Sequence, residues 1–172
     1  MKAHIMRHIQ AADASTFATG LSWYDVSRAH VANAAADAGL SLTSGVIGAF
    51  AALSPRITYR ENVRLFGVLL NAGPSHVPAL RANVESAVRC LEADAYPTGR
   101  KVGAFARCIA GDSDAVCIDT WAMRAAGVKA EKPTPKVFSR IEKAYRAVAK
   151  DIGIAPAQAQ AIAWCSIRGA SF

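Results

Sequence analysis

The chain has 172 residues, 52% of them hydrophobic, and 20 Lys and Arg against 13 Asp and Glu, a formal net charge of +7. That length suits one domain with a real core, expected here as a single helical domain over 1–172. The one long apolar region, before Ser54, is broken by Asp37, Gly39 and several Ser and Thr, and Met1–Gln10 holds charges and histidines rather than an apolar core, so neither a membrane span nor a secretory signal is expected.

Alanine supplies much of the apolar fraction, and β-branched runs are short. Alanine is the best helix former and lets helices approach closely, so the expected class is all-α. Thirteen of the 20 basic residues are arginine, a balance that suits phosphate contacts. Many basic proteins bind no nucleic acid, so charge alone does not decide this. Cys90, Cys108, Cys117 and Cys165 form no Cys-x-x-Cys pair. They read as buried free thiols in a cytoplasmic protein, too scattered for an iron–sulfur cluster. His4, His8, His30 and His76 lack metal-ligand spacing with carboxylates, so no metal and no cofactor are expected. No membrane partner and no obligatory protein partner are expected either.

In chain order, Ser22 is expected to cap a helix from about Trp23 to Ala38, with Asp25 in its first turn and Gly39 as its stop. Trp23, Val26, His30 and Asn33 recur on it at helical spacing. A second helix spans about Thr43 to Leu53 and is apolar nearly all round, which marks it as central. Ser54-Pro55-Arg56 ends it. A third holds Asn62, Leu65, Phe66 and Leu69, and stops at Asn71-Ala72-Gly73-Pro74. Beyond Pro78 a helix reaches Leu91, with Leu80, Val84, Ala87, Val88 and Leu91 facing inward. Glu92 to Gly99 is a connector, and Arg100 to Ala110 a further helix. A short helix follows Asp119 to Ala126. Thr134-Pro135 opens another with Val137, Phe138, Ile141, Tyr145 and Val148 on one face, ending at Gly153. Pro156 opens the last, through Trp164 to Arg168-Gly169.

Two residues carry the most chemistry. Lys101 lies one turn inside the helix that Gly99 opens, and Asp119 ends a short apolar run, Ala115 to Ile118. Ten helical residues travel roughly 15 Å. The turn Gly111-Asp112-Ser113-Asp114, followed by about five extended residues at roughly 3.3 Å each, brings the chain back over the same distance. The amine and the carboxylate can therefore meet. An amine nucleophile beside a carboxylate is what covalent cleavage of an N-glycosidic bond requires. A lysine at the positive end of a helix dipole is oddly placed for a surface cation. Asp119 also suits a helix N-cap, a role that would fix its carboxylate.

The helix pair at 80–110 is compatible with plain packing. Its functional reading places the backbone amides of Thr98-Gly99-Arg100 on a DNA phosphate, with Arg100 and Arg107 adding charge. Ser54-Pro55-Arg56 is either a helix terminator or a rigid loop that offers Arg56 to the gap left by an extruded base. Tyr59, Arg60 and Arg64 would then stack or touch phosphates, although Arg60 and Arg64 also fit a solvated face. Trp23, Tyr24, Trp121 and Trp164 are core aromatics or the walls of a base pocket.

With these residues in view, the chain resembles the helix-hairpin-helix DNA glycosylase superfamily, the endonuclease III-like group. That family has a hairpin Leu-Pro-Gly-Val-Gly, then Arg-Lys-Thr-Ala, then Val-Asp-Thr-His. Gly99-Arg100-Lys101 matches the end of the hairpin, and Ile118-Asp119-Thr120 matches the aspartate motif at a similar separation. Leu53-Ser54 matches the end of the family's second core helix, and Gln160 to Trp164 with Arg168-Gly169 looks like the last one. Tyr96-Pro97-Thr98 lacks the first hairpin glycine, Trp121 stands where histidine is common, and no cluster cysteines follow. The resemblance covers most of residues 22–169, its specific part about twenty-five. It implies a DNA glycosylase, with or without a lyase activity, with the hairpin at 80–110 on double-stranded DNA and the aspartate segment at 115–126. Lys101 and Asp119 would be catalytic, and Ser54, Arg56, Tyr59, Arg60, Thr98, Gly99 and Arg100 would bind DNA. The chain is also similar to small phage-type proteins with a Leu-Ser-Pro-Arg element. Some relatives of the fold are thought to transfer amino acids or amines onto activated hydroxymethyl pyrimidines instead of cutting the glycosidic bond.

Overall fold

The computed structural model describes residues 1–129 and 133–169. These are all-helical: α1 (Lys2–Gln10), α2 (Ala14–Asp37), α3 (Ser44–Leu53), α4 (Tyr59–Ala72), a 3-10 turn (Pro74–His76), α5 (Arg81–Ala93), α6 (Arg100–Ala110), α7 (Thr120–Ala125), α8 (Pro135–Ile152) and α9 (Pro156–Arg168). They form two compact units. One is Asp25–Ala110, here called the inner unit because it is the middle stretch of the sequence. The other joins Met1–Tyr24 to the described residues from Gly111 on, here the outer unit. The boundary after Tyr24 falls inside α2.

Local chemistry sets most helix starts. Thr43, Thr58, Asp119 and Thr134 each accept a hydrogen bond from the backbone N–H three residues on, at 3.4, 3.2, 2.7 and 3.3 Å. Each satisfies one of the first-turn donors that a helix leaves outside its own ladder. The helix expected from Trp23 begins nine residues earlier. Asp13, not Ser22, caps it, its carboxylate accepting from Thr16 N at 2.7 Å. Ser22 lies within the helix and donates to Ala18 O, and Asp25 is mid-helix. The buried stripe of α2 is Trp23, Ser27, Val31 and Ala35, while Asn33 is exposed. Met1–Gln10, given no element above, contains α1, which buries Ile5 and Ile9 at i,i+4 spacing. Leu80 precedes α5 and is exposed, so the inward face of that helix is Val84, Ala87 and Cys90.

In the inner unit, α3 is buried from Gly45 through Leu53 and packs against α4, α5 and α6. A helix surrounded this way must be apolar on every side. Phe50 is its aromatic centre, edge-on to Phe66 at 5.4 Å and 6.2 Å from Phe105. Glycine decides how close the neighbours come. A Cβ on Gly45 would lie 2.5 Å from Cys90 O, and one on Gly48 would lie 2.5 Å from Ala95 O. In the outer unit, α1, α7 and α8 all pack on α9. Ile5, Ile118, Ile141, Tyr145, Val148 and Ile162 form its core. Gly20 and Ile162 are in backbone contact there, with 2.5 Å between a Gly20 Cβ and Ile162 Cα. All four cysteines are buried free thiols. No helix among the described residues is long and apolar enough to cross a membrane.

Candidate functional site

The sequence-nominated residues fall into two groups, one per unit. In the inner unit they gather on the connector from α5 to α6 and on the loop after α3. The connector is held down by backbone approach. Asp94 ends α5 in the left-handed region at φ 45°. Its carboxylate accepts from Gly45 N at 2.7 Å, and the hydroxyl of Thr43 and that N–H hold the acid below its usual range. Ala95 O rests on Gly48, and Pro97 O rests on Gly103, where a Cβ would come within 2.6 Å. Gly99 O then accepts from Gly103 N at 2.7 Å and starts α6. Thr98, Gly99, Arg100 and Lys101 are all exposed at that start. A shallow pocket of about 220 Å³ opens beside them, lined by Tyr96, Pro97, Thr98, Gly99, Arg100 and Arg107. At the other end of α6, Arg28 donates to Ala110 O at 2.6 Å. Lys101 is exposed rather than partly buried.

Arg56 is exposed at φ 69°. A non-glycine residue held there bears strain of about 1–2 kcal/mol. Pro55 on one side and Asn83 on the other fix the loop, the Asn83 amide donating to Pro55 O at 3.1 Å. Ser54 turns inward and donates to Ala51 O. Tyr59 is half-buried, its hydroxyl 3.0 Å from His30 Nδ1 and its ring 6.0 Å from Phe50. Burial raises its pKa, opposed by a hydrogen bond with Ser27. Arg60 is exposed, whereas Arg64 forms a bidentate pair with Glu61 at 2.9 and 2.6 Å.

In the outer unit the focus is Asp119. Its Oδ1 accepts from Ala122 N at 2.7 Å, and its Oδ2 accepts from Trp164 Nε1 at 3.1 Å. One oxygen is held by backbone and the other by an indole, so the carboxylate plane is set while lone pairs remain on both oxygens. Tyr145, fully buried, donates to Ala122 O at 3.0 Å and braces the same turn. Burial pushes its pKa up, and the nearby charges of Asp119 and Cys117 add to that.

The four nominated aromatics divide. Trp23, Tyr24 and Trp164 form one cluster, with ring centroids 5.0 Å apart for Trp23–Tyr24 and 5.7 Å for Trp23–Trp164. Tyr24 donates its hydroxyl to Gln160 Oε1. Trp23 is buried at 7% exposure, which makes it a support rather than a wall of an open pocket. Trp121 and Trp164 are half-exposed, and each carries an arginine over its ring: Arg124 at 4.6 Å and Arg168 at 4.9 Å from the centroid. The sequence reading gave Arg124 no role and placed Arg168 only at the end of the last helix. Their spacings from the tryptophans, i,i+3 and i,i+4, were the available signal. Among the described residues no group of three or more His, Cys, Asp and Glu stands in a metal-binding arrangement.

Lys101 thus lies in the inner unit and Asp119 in the outer one. No curated protein and no solved structure matches the chain. Residues 1–171 match the family described as "Family of unknown function (DUF7178)", and the chain belongs to that family.

Proposed function

We propose that this protein acts on a base of duplex DNA as a DNA glycosylase with lyase activity, on a helix-hairpin-helix glycosylase fold, with Lys101 as nucleophile and the Asp119 carboxylate assisting at C1′. The observation that carries the reading is the start of α6. Three glycines, Gly45, Gly48 and Gly103, let the connector settle against α3 and α6. The helix then opens outward with Thr98, Gly99, Arg100 and Lys101 exposed. A helix start with glycine and arginine favours a phosphate through its amides, its dipole and its side-chain charge together. Arg56, fixed in a strained and exposed turn, supports a role beside an extruded base.

Chemically, the amine of Lys101 would attack C1′ as the base departs with its bonding electron pair. Asp119 would stabilise the positive charge that grows on the sugar and accept the proton that the attacking amine sheds. Ring opening would leave a Schiff base, from which β-elimination breaks the strand on the 3′ side. The fixed carboxylate of Asp119 suits this role, because electrostatic stabilisation depends on groups oriented before the charge develops.

The test uses a duplex with a single abasic site and borohydride. The wild-type protein should form a trapped protein–DNA adduct, Lys101→Gln should form none, and Asp119→Asn should slow it by about 10²-fold or more. Base release is followed separately by mass spectrometry on duplexes with modified pyrimidines. A mass gain on a pyrimidine when an amine donor is present would replace glycosylase chemistry with base transfer. Binding with no adduct and no altered nucleoside would leave only a DNA-binding module.

A further inference from the structure

Arg124 and Arg168 form a second charged feature, in the outer unit. Both are exposed, and neither makes an ion pair among the described residues. Arg124 lies over Trp121, two residues beyond Asp119, and Arg168 lies over Trp164, whose indole donates to Asp119. One arginine–tryptophan pair thus includes the indole that holds Asp119, and the other lies in the short helix that Asp119 caps. An arginine resting on an aromatic face is held through that face, which leaves its N–H edge for a bidentate acceptor. Such a guanidinium is already ordered before a ligand arrives, so less rotamer freedom is lost on binding.

The same unit offers a contrasting basic surface. Lys136, Arg140, Lys143 and Lys150 are exposed along α8, opposite the face that buries Ile141, Tyr145 and Val148. Tyr145 reaches Ala122, so this stripe points away from α7. Among the described residues its four charges have no aromatic partner and no link to Asp119, as expected of a solvated helix face.

We infer that Arg124 and Arg168 are phosphate-binding residues, gripping the DNA backbone on either side of the nucleotide presented to Asp119, and that the α8 stripe is not part of this contact. The inference rests on the glycosylase reading only for its ligand, duplex DNA, and not for any chemical step. The half-exposed Trp121 and Trp164 rings would act as the posts that hold the two guanidinium groups in register with the phosphates.

The experiment measures binding of the full chain to a duplex holding one tetrahydrofuran abasic-site analogue, across a salt series. Each phosphate contact contributes about 0.9 to the slope of log K against log salt. Arg124→Gln/Arg168→Gln should therefore flatten the slope by about 1.8, while Lys143→Gln/Lys150→Gln should leave it at the wild-type value. Arg124→Lys/Arg168→Lys keeps the charges, so it should retain the slope yet bind more weakly, because an ammonium lacks the planar fork. Circular dichroism of each variant confirms that folding is intact. An unchanged slope in the double glutamine variant overturns the inference, as does an equal loss from the α8 pair. Full affinity in the lysine variant overturns the role given to stacking. Absence of wild-type binding at any salt would instead defeat the DNA reading itself.

Discussion

The start of α6 and the surroundings of Asp119 are built by opposite means. Around the connector, side chains are missing where they would obstruct: Gly45, Gly48 and Gly103 each meet a backbone atom within 2.6 Å of where a Cβ would stand. Around Asp119, large side chains do the positioning: Trp164 holds one oxygen, Tyr145 braces the cap, and Trp23 backs Trp164. The first design exposes backbone and cations. The second immobilises a single anion. The difference suits the tasks proposed for them, since a phosphate is reached by close backbone approach whereas a carboxylate must hold its direction.

Substitutions can break each design separately. Gly48→Ala should have the largest effect on stability, about 1–3 kcal/mol, because the new methyl meets Ala95 O at 2.5 Å and neither α3 nor the connector can yield cheaply. Chemical denaturation measures it. If the connector carries the phosphate contact, weaker DNA binding should accompany the loss. Asp119→Ala should cost about 1–2 kcal/mol through the lost cap, whereas Asp119→Asn, itself a good cap residue, should cost far less. A large loss for Asp119→Asn would mean that the charge, not the cap, holds α7. Trp164→Phe removes the donor to Asp119 Oδ2 and should cost about 0.5–1.5 kcal/mol. Its sharper signature is a fall in trapping rate greater than any fall in DNA affinity.

Smaller effects sharpen the same comparison. Gly67 has nothing within 4 Å of its would-be Cβ and lies inside α4, so its glycine has no packing reason. Gly67→Ala should stabilise by about 0.5–1 kcal/mol, the reverse of Gly48→Ala. The alkaline limit provides a final check on the outer unit. Burial raises the Cys165 thiol from 9.0 to about 11. The unfolded chain therefore loses its thiol proton first, and stability should be full below about pH 9 and fall through about pH 11. Tyr145, also raised by burial, acts in the same direction. Cys165→Ala should flatten the decline in melting temperature across this range.

Much of the helical framework was legible in the sequence. Thr43 and Thr134 mark starts, Gly39 and Gly153 mark stops, and α6 runs from Arg100 to Ala110 as its glycine-flanked pattern implies. The capping role of Asp119 was equally readable. The exceptions are instructive. Ser22 looked like a cap because serine favours that place, but it occupies a helix already begun at Asp13, and its hydroxyl folds back on Ala18. Leu80 looked like core by spacing, yet it stands one residue outside the helix whose period it seemed to share.

What the sequence by itself determined is local: which residues enter helices, where caps and glycine stops fall, and which side chains bring charge or an amine. Those outcomes depend on neighbours three or four positions apart. Only the tertiary structure decided that Arg56 adopts a left-handed turn, that Pro97 lies on Gly103 as Ala95 lies on Gly48, and that Trp164, 45 residues distant, holds Asp119. These are contacts between surfaces, and no period along the chain encodes them. They arise where packed helices bring together backbone and side chains whose separation in sequence carries no signal.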